Sequence, residues 1–130
     1  MSRPLLSVVI PIYNEKDTCE KLINRVKKVS IPKQIVVVND GSTDGSKELL
    51  MKIEGIELYH NCNNMGKGNA VRLALTKCVG KYVILQDGDL EYDPNSYHEL
   101  LFPLISKKAD VVFGSRWLRS TEASNYHTFG

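Results

Sequence analysis

Cysteine is scarce in this chain and badly placed for cross-linking. Cys19, Cys62 and Cys78 are odd in number, far apart, and stand in no Cys-x-x-Cys or Cys/His spacing. Neither a disulfide framework nor a zinc site is indicated, and a reducing cytoplasm fits best. Long apolar runs are also missing: nowhere do about 18 consecutive apolar residues occur. Met1-Ser2-Arg3-Pro4 passes straight into a short apolar segment with no long hydrophobic leader. The expectation is a chain that, as given, is neither secreted nor membrane-spanning. No charge dominates, since 17 Lys and Arg face 15 Asp and Glu for a net +2. That balance argues against nucleic acid or an anionic membrane surface as a partner. Internal repeats and low-complexity segments are absent as well. His60, His98 and His127 stand in no Ser-His or Cys-His constellation and read as surface or satisfied histidines.

What is present is the composition of one globular domain: 130 residues, 42% hydrophobic and 25% charged. Residues 5–12, Leu-Leu-Ser-Val-Val-Ile-Pro-Ile, form a β-branched run of the kind a buried strand needs. From Asp17 the apolar positions Cys19, Leu22, Ile23, Val26 and Val29 fall three or four apart. This predicts an amphipathic helix that stops near Ser30-Ile31-Pro32. A second buried strand over 34–39 leads into Asp40-Gly41-Ser42-Thr43-Asp44-Gly45-Ser46, dense in turn formers and helix caps. A short helix through Leu49, Leu50 and Ile53 follows, then a less buried strand over 56–60 and a glycine- and asparagine-rich loop over 61–68. The next helix is expected from Asn69 to about Cys78, with Gly80 as its stop. A strand over 82–85 precedes an acidic stretch. Pro94 then suits the first turn of a helix with Tyr97, Leu100, Leu101, Leu104 and Ile105 inward and Pro103 as a kink. Residues 109–114 read as a fifth strand, and beyond Trp117 no periodicity is visible. Alternating strands and helices with long connections predict an α/β fold with a largely parallel sheet.

Four carboxylates, Asp87, Asp89, Glu91 and Asp93, fall within seven residues directly after the fourth strand. Charges so close repel unless they point apart into water or converge on a cation that prefers hard oxygen ligands. Familiar alternatives fail on particular positions. A phosphate loop around Gly66-Lys67-Gly68 lacks the first glycine, which is Asn61, and the Ser or Thr, which is Gly68. A dinucleotide fingerprint fails at Val71. A calcium loop beginning at Asp87 fails at Tyr92 and His98. What survives is a set of polar loops at carboxyl ends of predicted strands: Tyr13-Asn14-Glu15, Asp40-Gly41-Ser42, Asp87-Gly88-Asp89 and Gly114-Ser115-Arg116. In a parallel sheet these ends share one edge, where ligands bind.

Four segments, taken together, resemble the successive signatures of family 2 glycosyltransferases with the GT-A fold. They are Pro11-Ile12-Tyr13-Asn14-Glu15, Asn39-Asp40-Gly41-Ser42-Thr43-Asp44-Gly45, Asn63-Asn64-Met65-Gly66-Lys67-Gly68 and the stretch from Gln86 to Pro94. The acidic stretch, with the segment from Ala109 to Arg116 after it, is most similar to the dolichyl-phosphate mannosyltransferase and bacterial polyprenyl-phosphate glycosyltransferase branch. The resemblance implies a Rossmann-like GT-A domain that binds a nucleoside-diphosphate sugar, UDP- or GDP-linked, and transfers the sugar with inversion. By the family's pattern Pro11, Tyr13, Asn14 and Glu15 shape the nucleoside pocket, and Asp40 accepts hydrogen bonds from the base. Lys67 approaches the diphosphate. Asp87, with Gly88 beside it, meets the ribose or the metal, and Asp89 is the principal ligand of Mg²⁺ or Mn²⁺. Glu91 stands where some relatives place a further ligand, and Arg116 holds a sugar or acceptor phosphate. An acceptor that is a lipid phosphate is already anionic and needs no general base; a hydroxyl acceptor would want one, and no residue here supplies it. Family members ordinarily continue past position 130 with acceptor-side loops or membrane helices. The expectation is therefore a single catalytic, donor-binding domain over 1–130 without that part, at the cytoplasmic face of a membrane in a longer parent. Two other readings stand beside it: a catalytically incomplete nucleotide-sugar-binding module, and a sugar-1-phosphate nucleotidyltransferase. The latter normally needs a glycine-rich basic loop after the first strand, and Tyr13-Asn14-Glu15 does not supply one.

Overall fold

The computed structural model describes residues 4–86 in full, and the strand pairing of 111–113 and 116–118. Four strands and three helices alternate through the first part: β1 (Leu6–Ile12), α1 (Cys19–Lys28), β2 (Lys33–Asp40), α2 (Ser46–Met51), β3 (Glu57–Asn61), α3 (Lys67–Leu75) and β4 (Tyr82–Leu85). Two short strands, β5 (Val111–Phe113) and β6 (Arg116–Leu118), complete a six-stranded sheet in the order β3-β2-β1-β4-β5-β6. All neighbours are parallel except β5 and β6, which are antiparallel. The expected parallel sheet is thus present, with one unexpected antiparallel edge. Val112 lies opposite Trp117 across that hairpin and Phe113 opposite Arg116. A strand of three residues is too short to show a period, so the sequence around Arg116 reads as loop.

The strand alternation sorts side chains onto two faces. Leu6, Val8, Ile10 and Ile12 of β1, Ile35 and Val37 of β2 and Ile84 of β4 pack with Cys19, Leu22, Ile23 and Val26 of α1 and Leu50 of α2. On the opposite face Val9, Val36, Val38 and Leu85 meet Ala70 and Ala74 of α3. β1 is therefore covered on both sides, which is why its sequence is almost continuously apolar. Each fully buried Leu, Ile or Val contributes about 1.5–3 kcal/mol of transfer free energy. The C-terminal end of α1 is held by Lys33, whose Nζ donates to the Val29 carbonyl at 2.6 Å and, at 3.4 Å, to those of Lys27 and Ile31. A cation there also complements the helix dipole.

The boundaries of α3 differ from expectation. It begins two residues earlier, at Lys67, because Gly66 takes φ 96° and turns the chain into the helix. It ends at Leu75, so Gly80 is not its stop. Gly80 instead lies against β1: a Cβ there would stand 2.5 Å from the Ser7 amide nitrogen and 2.6 Å from the Leu6 carbonyl carbon. Its amide donates to the Ser7 hydroxyl at 2.8 Å, and that hydroxyl donates to Gln34 Oε1 at 2.7 Å. Gln34 Oε1 also accepts from the Val79 amide, while Gln34 Nε2 donates to the Lys77 carbonyl and to Glu57. This polar knot ties the α3–β4 connection beneath the amino ends of three strands. Among the described residues no buried side-chain polar atom lacks a partner.

The acidic stretch with Asp87, Gly88, Asp89 and Glu91, the helix expected from Pro94, and His98 and His127 lie outside the described residues. No described helix is long and apolar enough to cross a membrane.

Candidate functional site

The order of strands reverses between β1 and β4. β1 leads through α1 to β2 on one side, whereas β3 leads through α3 back across β1 to β4 on the other. In an open α/β sheet a crevice forms at such a switch point, outside the carboxyl ends of the strands. The loop after β1 and Gln86, the residue that follows β4, flank it. Register sets their heights: Leu85 pairs with Val9, so β4 ends while β1 runs on to Ile12. Gln86 is fully buried at that point, with its amide donating to the Val9 carbonyl at 2.8 Å. The acidic stretch begins at the next residue.

The loop after β1 is fastened to the loop after β2. Asn14 adopts φ 52°, a left-handed conformation that Asn tolerates better than most residues. Its amide donates to the Ser42 hydroxyl at 3.0 Å, and its Oδ1 accepts from the Thr43 amide at 2.8 Å. The Glu15 amide donates to the Ser46 hydroxyl oxygen at 3.1 Å, and the Lys16 amide to Asp44 Oδ2, also at 3.1 Å. Asp44 Oδ1 accepts from both the hydroxyl (2.6 Å) and the amide (2.9 Å) of Ser46. Burial acts to raise the Asp44 carboxyl, but the Ser46 and Lys16 donors outweigh it and hold the group below its usual 3.8. Glu15 serves partly as a local brace, since its Oε2 accepts from the Thr18 hydroxyl at 3.1 Å just before α1.

A second set of bonds fastens the loop after β3. Asp40 is buried, 3% exposed as a residue, at the end of β2. Its Oδ1 accepts from Asn61 Nδ2 at 2.8 Å and from the Met65 amide at 2.9 Å, and its Oδ2 accepts from the Gly66 amide at 2.9 Å. Gly41, at φ 72°, allows the two loops to touch: a Cβ there would stand 2.4 Å from the Asn63 carbonyl carbon. On the other sheet face Asn39 Oδ1 accepts from the Ser42 amide, and its Nδ2 pairs with His60 Nδ1 at 3.1 Å. His60 is thus a satisfied histidine, as expected; burial and the nearby Lys47 charge lower its pKa.

The structure thus brings together Tyr13, Asn14, Glu15, Asp40 and Lys67 along one edge of the sheet. Tyr13 is 44% exposed there and Lys67 is exposed at the first turn of α3, while Pro11 is half-buried within β1. Arg116 opens β6 at the far side of β5. Ser42 and Asp44, which lie in the motif from Asn39 to Gly45, complete the edge together with Ser46 and Asn61, which were given no role from the sequence. The density of turn formers over 40–46 marks Ser42, Asp44 and Ser46 only as turn residues, because their partners lie up to 31 positions away. Among the described residues no group of three His, Cys, Asp or Glu could hold a metal. An open groove of about 500 Å³ lined by Lys27, Ile31, Lys33, Ile35, Glu54 and Gly55 lies at the opposite, amino edge of the sheet. Lys33 is already committed to three carbonyls there, so the groove is no rival to the loop edge.

A mostly parallel sheet covered on both faces, with polar loops converging beside the switch point, defines the class of α/β enzymes that bind nucleotides across a strand-end crevice. Within that class the family model described as glycosyl transferase family 2 matches residues 7–129, and the chain belongs to this family. It is 34% identical over 116 residues to the undecaprenyl-phosphate 4-deoxy-4-formamido-L-arabinose transferase of Pectobacterium atrosepticum, covering 82% of this chain and 35% of that protein. With the dolichol-phosphate mannosyltransferase of Pyrococcus furiosus it shares 26% identity over 126 residues, covering 93% and 36% of the two chains. The chain therefore spans little more than a third of the length of these curated relatives. Among solved structures it resembles a mannosyltransferase from Pyrobaculum calidifontis in complex with GDP-Man and Mn²⁺. The TM-score is 0.66 and the identity 25%, over 73% of this chain and 30% of that one. A glucosyl-3-phosphoglycerate synthase from Mycobacterium tuberculosis, in complex with Mn²⁺, UDP and glucosyl-3-phosphoglycerate, gives TM-score 0.66 and 26% identity over 79% and 40%. The fold is the GT-A fold.

Proposed function

We propose that this chain is the donor-binding part of a glycosyltransferase that takes a nucleoside-diphosphate sugar and transfers the sugar, with inversion, to an acceptor. The observation that carries this reading is the convergence of the loops after β1, β2 and β3 on the edge where β4 hands over to the acidic stretch. In this reading Pro11, Tyr13, Asn14 and Glu15 form the nucleoside side of the pocket, and Lys67 faces the diphosphate. Arg116 serves a sugar or acceptor phosphate. The donor set Asp87, Asp89 and Glu91 consists of hard carboxylate oxygens, which suit Mg²⁺ or Mn²⁺, and both structural relatives named above hold Mn²⁺ with their nucleotide. Such an ion, when bound, supplies charge stabilisation to a departing nucleoside diphosphate. The relatives that act on undecaprenyl phosphate and dolichol phosphate favour a polyprenyl phosphate as acceptor.

Calorimetric titration with UDP and GDP, each with and without Mn²⁺, tests the reading. Binding of one nucleotide that strengthens at least tenfold with Mn²⁺ is the expected result. Asp89→Asn is expected to remove the metal-dependent part and leave the fold intact. Unchanged affinity in this variant would refute the metal assignment, and binding of neither nucleotide by the parent chain would refute the donor site. Transfer of sugar to a short polyprenyl phosphate distinguishes an enzyme from a module that only binds.

A further inference from the structure

We infer that Ser46, the first residue of α2, is a positioning residue for the nucleoside side of the pocket: its buried hydroxyl fixes Glu15, and with it the turn that carries Tyr13. This deepens the donor-site reading just given and rests on it.

Three successive amides beyond β1 end on side chains of one neighbouring segment. Those of Asn14, Glu15 and Lys16 donate in turn to Ser42 Oγ, Ser46 Oγ and Asp44 Oδ2. The path of the chain after β1 is thus set by residues 28 to 31 positions away. The three acceptors are unequal. Ser42 and Asp44 are half-buried, and water can replace them as acceptors. Ser46 is fully buried, so no water reaches its hydroxyl.

That hydroxyl has one proton to give. The proton goes to Asp44 Oδ1 at 2.6 Å, the length of a charge-assisted bond, which leaves the oxygen to accept the Glu15 amide at 3.1 Å. A hydroxyl that donates to a carboxylate is a stronger acceptor in return. On its other side Glu15 is held by α1, because its carbonyl accepts from the Thr18 and Cys19 amides at 3.1 and 2.8 Å. Its N–H is therefore tied to α2 and its C=O to α1. Asn14, between Glu15 and Tyr13, occupies the narrow left-handed well at φ 52° and has little freedom to absorb a displacement. Tyr13 moves when Glu15 moves.

Ser46→Ala removes one buried oxygen and leaves the Glu15 amide without its acceptor, a state the turn can relieve only by shifting toward water. Lys67 and the acidic stretch follow other strands, so the loss falls on the nucleoside side. UDP and GDP are titrated with and without Mn²⁺ against the parent chain and Ser46→Ala, at a temperature where circular dichroism shows both folded. Affinity for the nucleotide that the parent binds is expected to fall at least fivefold, by the same factor with and without Mn²⁺, so that the gain from the ion stays within twofold. Unchanged affinity, even with a lowered melting temperature, would leave Ser46 a purely structural role and overturn the inference. A loss confined to the Mn²⁺-dependent part would overturn it as well.

Amide hydrogen exchange by NMR supplies a readout without ligand, so failure of the donor-site reading, seen as a parent chain that binds neither nucleotide, is separately visible. The Glu15 amide is expected to be protected in the parent chain and to exchange at least tenfold faster in Ser46→Ala. An unprotected Glu15 amide in the parent, or equal protection in the variant, would overturn the inference. Should Ser46→Ala not fold, Ser46→Cys, which fills the site and weakens both bonds, is read by the same two measurements with the same outcomes.

Discussion

Asp44 shows how single side chains hold the candidate site together. Its carboxylate accepts from the Lys16 amide on one side and from the Ser46 hydroxyl and amide on the other, so it locks the loop after β1 to the start of α2. Those donors favour the ionised form and depress its pKa below 3.8 despite the opposing effect of burial. The folded-state pKa therefore lies below the unfolded one. The contribution is complete above the unfolded value and is lost as pH falls through the folded value. The protection factors of the Lys16 and Ser46 amides, which divide out the intrinsic pH dependence of exchange, are expected to be constant from neutrality to about pH 5 and to fall below about pH 4, near the ordinary carboxylate range. In Asp44→Asn the same amides should be less protected at neutral pH and show little of that acid response. Equal protection in parent and variant would show that the lock is idle.

At the scale of elements, the close approach of the α3–β4 connection to β1 is the sharpest steric requirement outside the loop edge. Gly80→Ala would place a methyl group within 2.7 Å of three atoms of Leu6 and Ser7, two of them backbone. Backbone atoms in a central strand cannot step aside as a flexible side chain can. A loss of about 1–3 kcal/mol is expected from the overpacking alone, and more if the bonds from Gly80 and Val79 to Ser7 and Gln34 are broken. Urea denaturation measures it directly, and a variant as stable as the parent would mean the connection can shift. Ser7 and Gln34 are polar positions inside apolar strands, and the knot they form explains why they are tolerated. They receive a crossing segment whose own amides need acceptors.

For the whole molecule, the sheet order separates two ends with different duties. The amino end is closed by the Ser7–Gln34 knot and by Lys33 over the end of α1. The carboxyl end is an array of loops held by hydrogen bonds between segments that are distant in sequence. A bound nucleotide is therefore expected to slow amide exchange at residues 13–16, 40–46 and 61–68. Residues 29–34 and 77–81, at the opposite edge, should not respond. Protection centred on the amino edge would move the site away from the switch point.

Much of this was legible in the sequence for identifiable reasons. Short, continuous apolar runs mark β1, β2 and β4 because the sheet is covered on both faces, and a period of 3.6 marks α1 because it buries one face. Turn-forming residues mark the loops because few other residues reach their dihedral angles. The family itself could be read because four short motifs follow one another at strand ends. Tertiary structure alone decided three things. The order β3-β2-β1-β4-β5-β6 put those ends beside one switch point, and β6 paired antiparallel where three residues carry no period. It also chose the amides of Met65 and Gly66 as hydrogen-bond partners of Asp40. The physical reason is common to all three. Local sequence fixes which groups must be buried or hydrogen-bonded, whereas the partner that satisfies each one is chosen by whichever distant segment the sheet brings within about 3 Å.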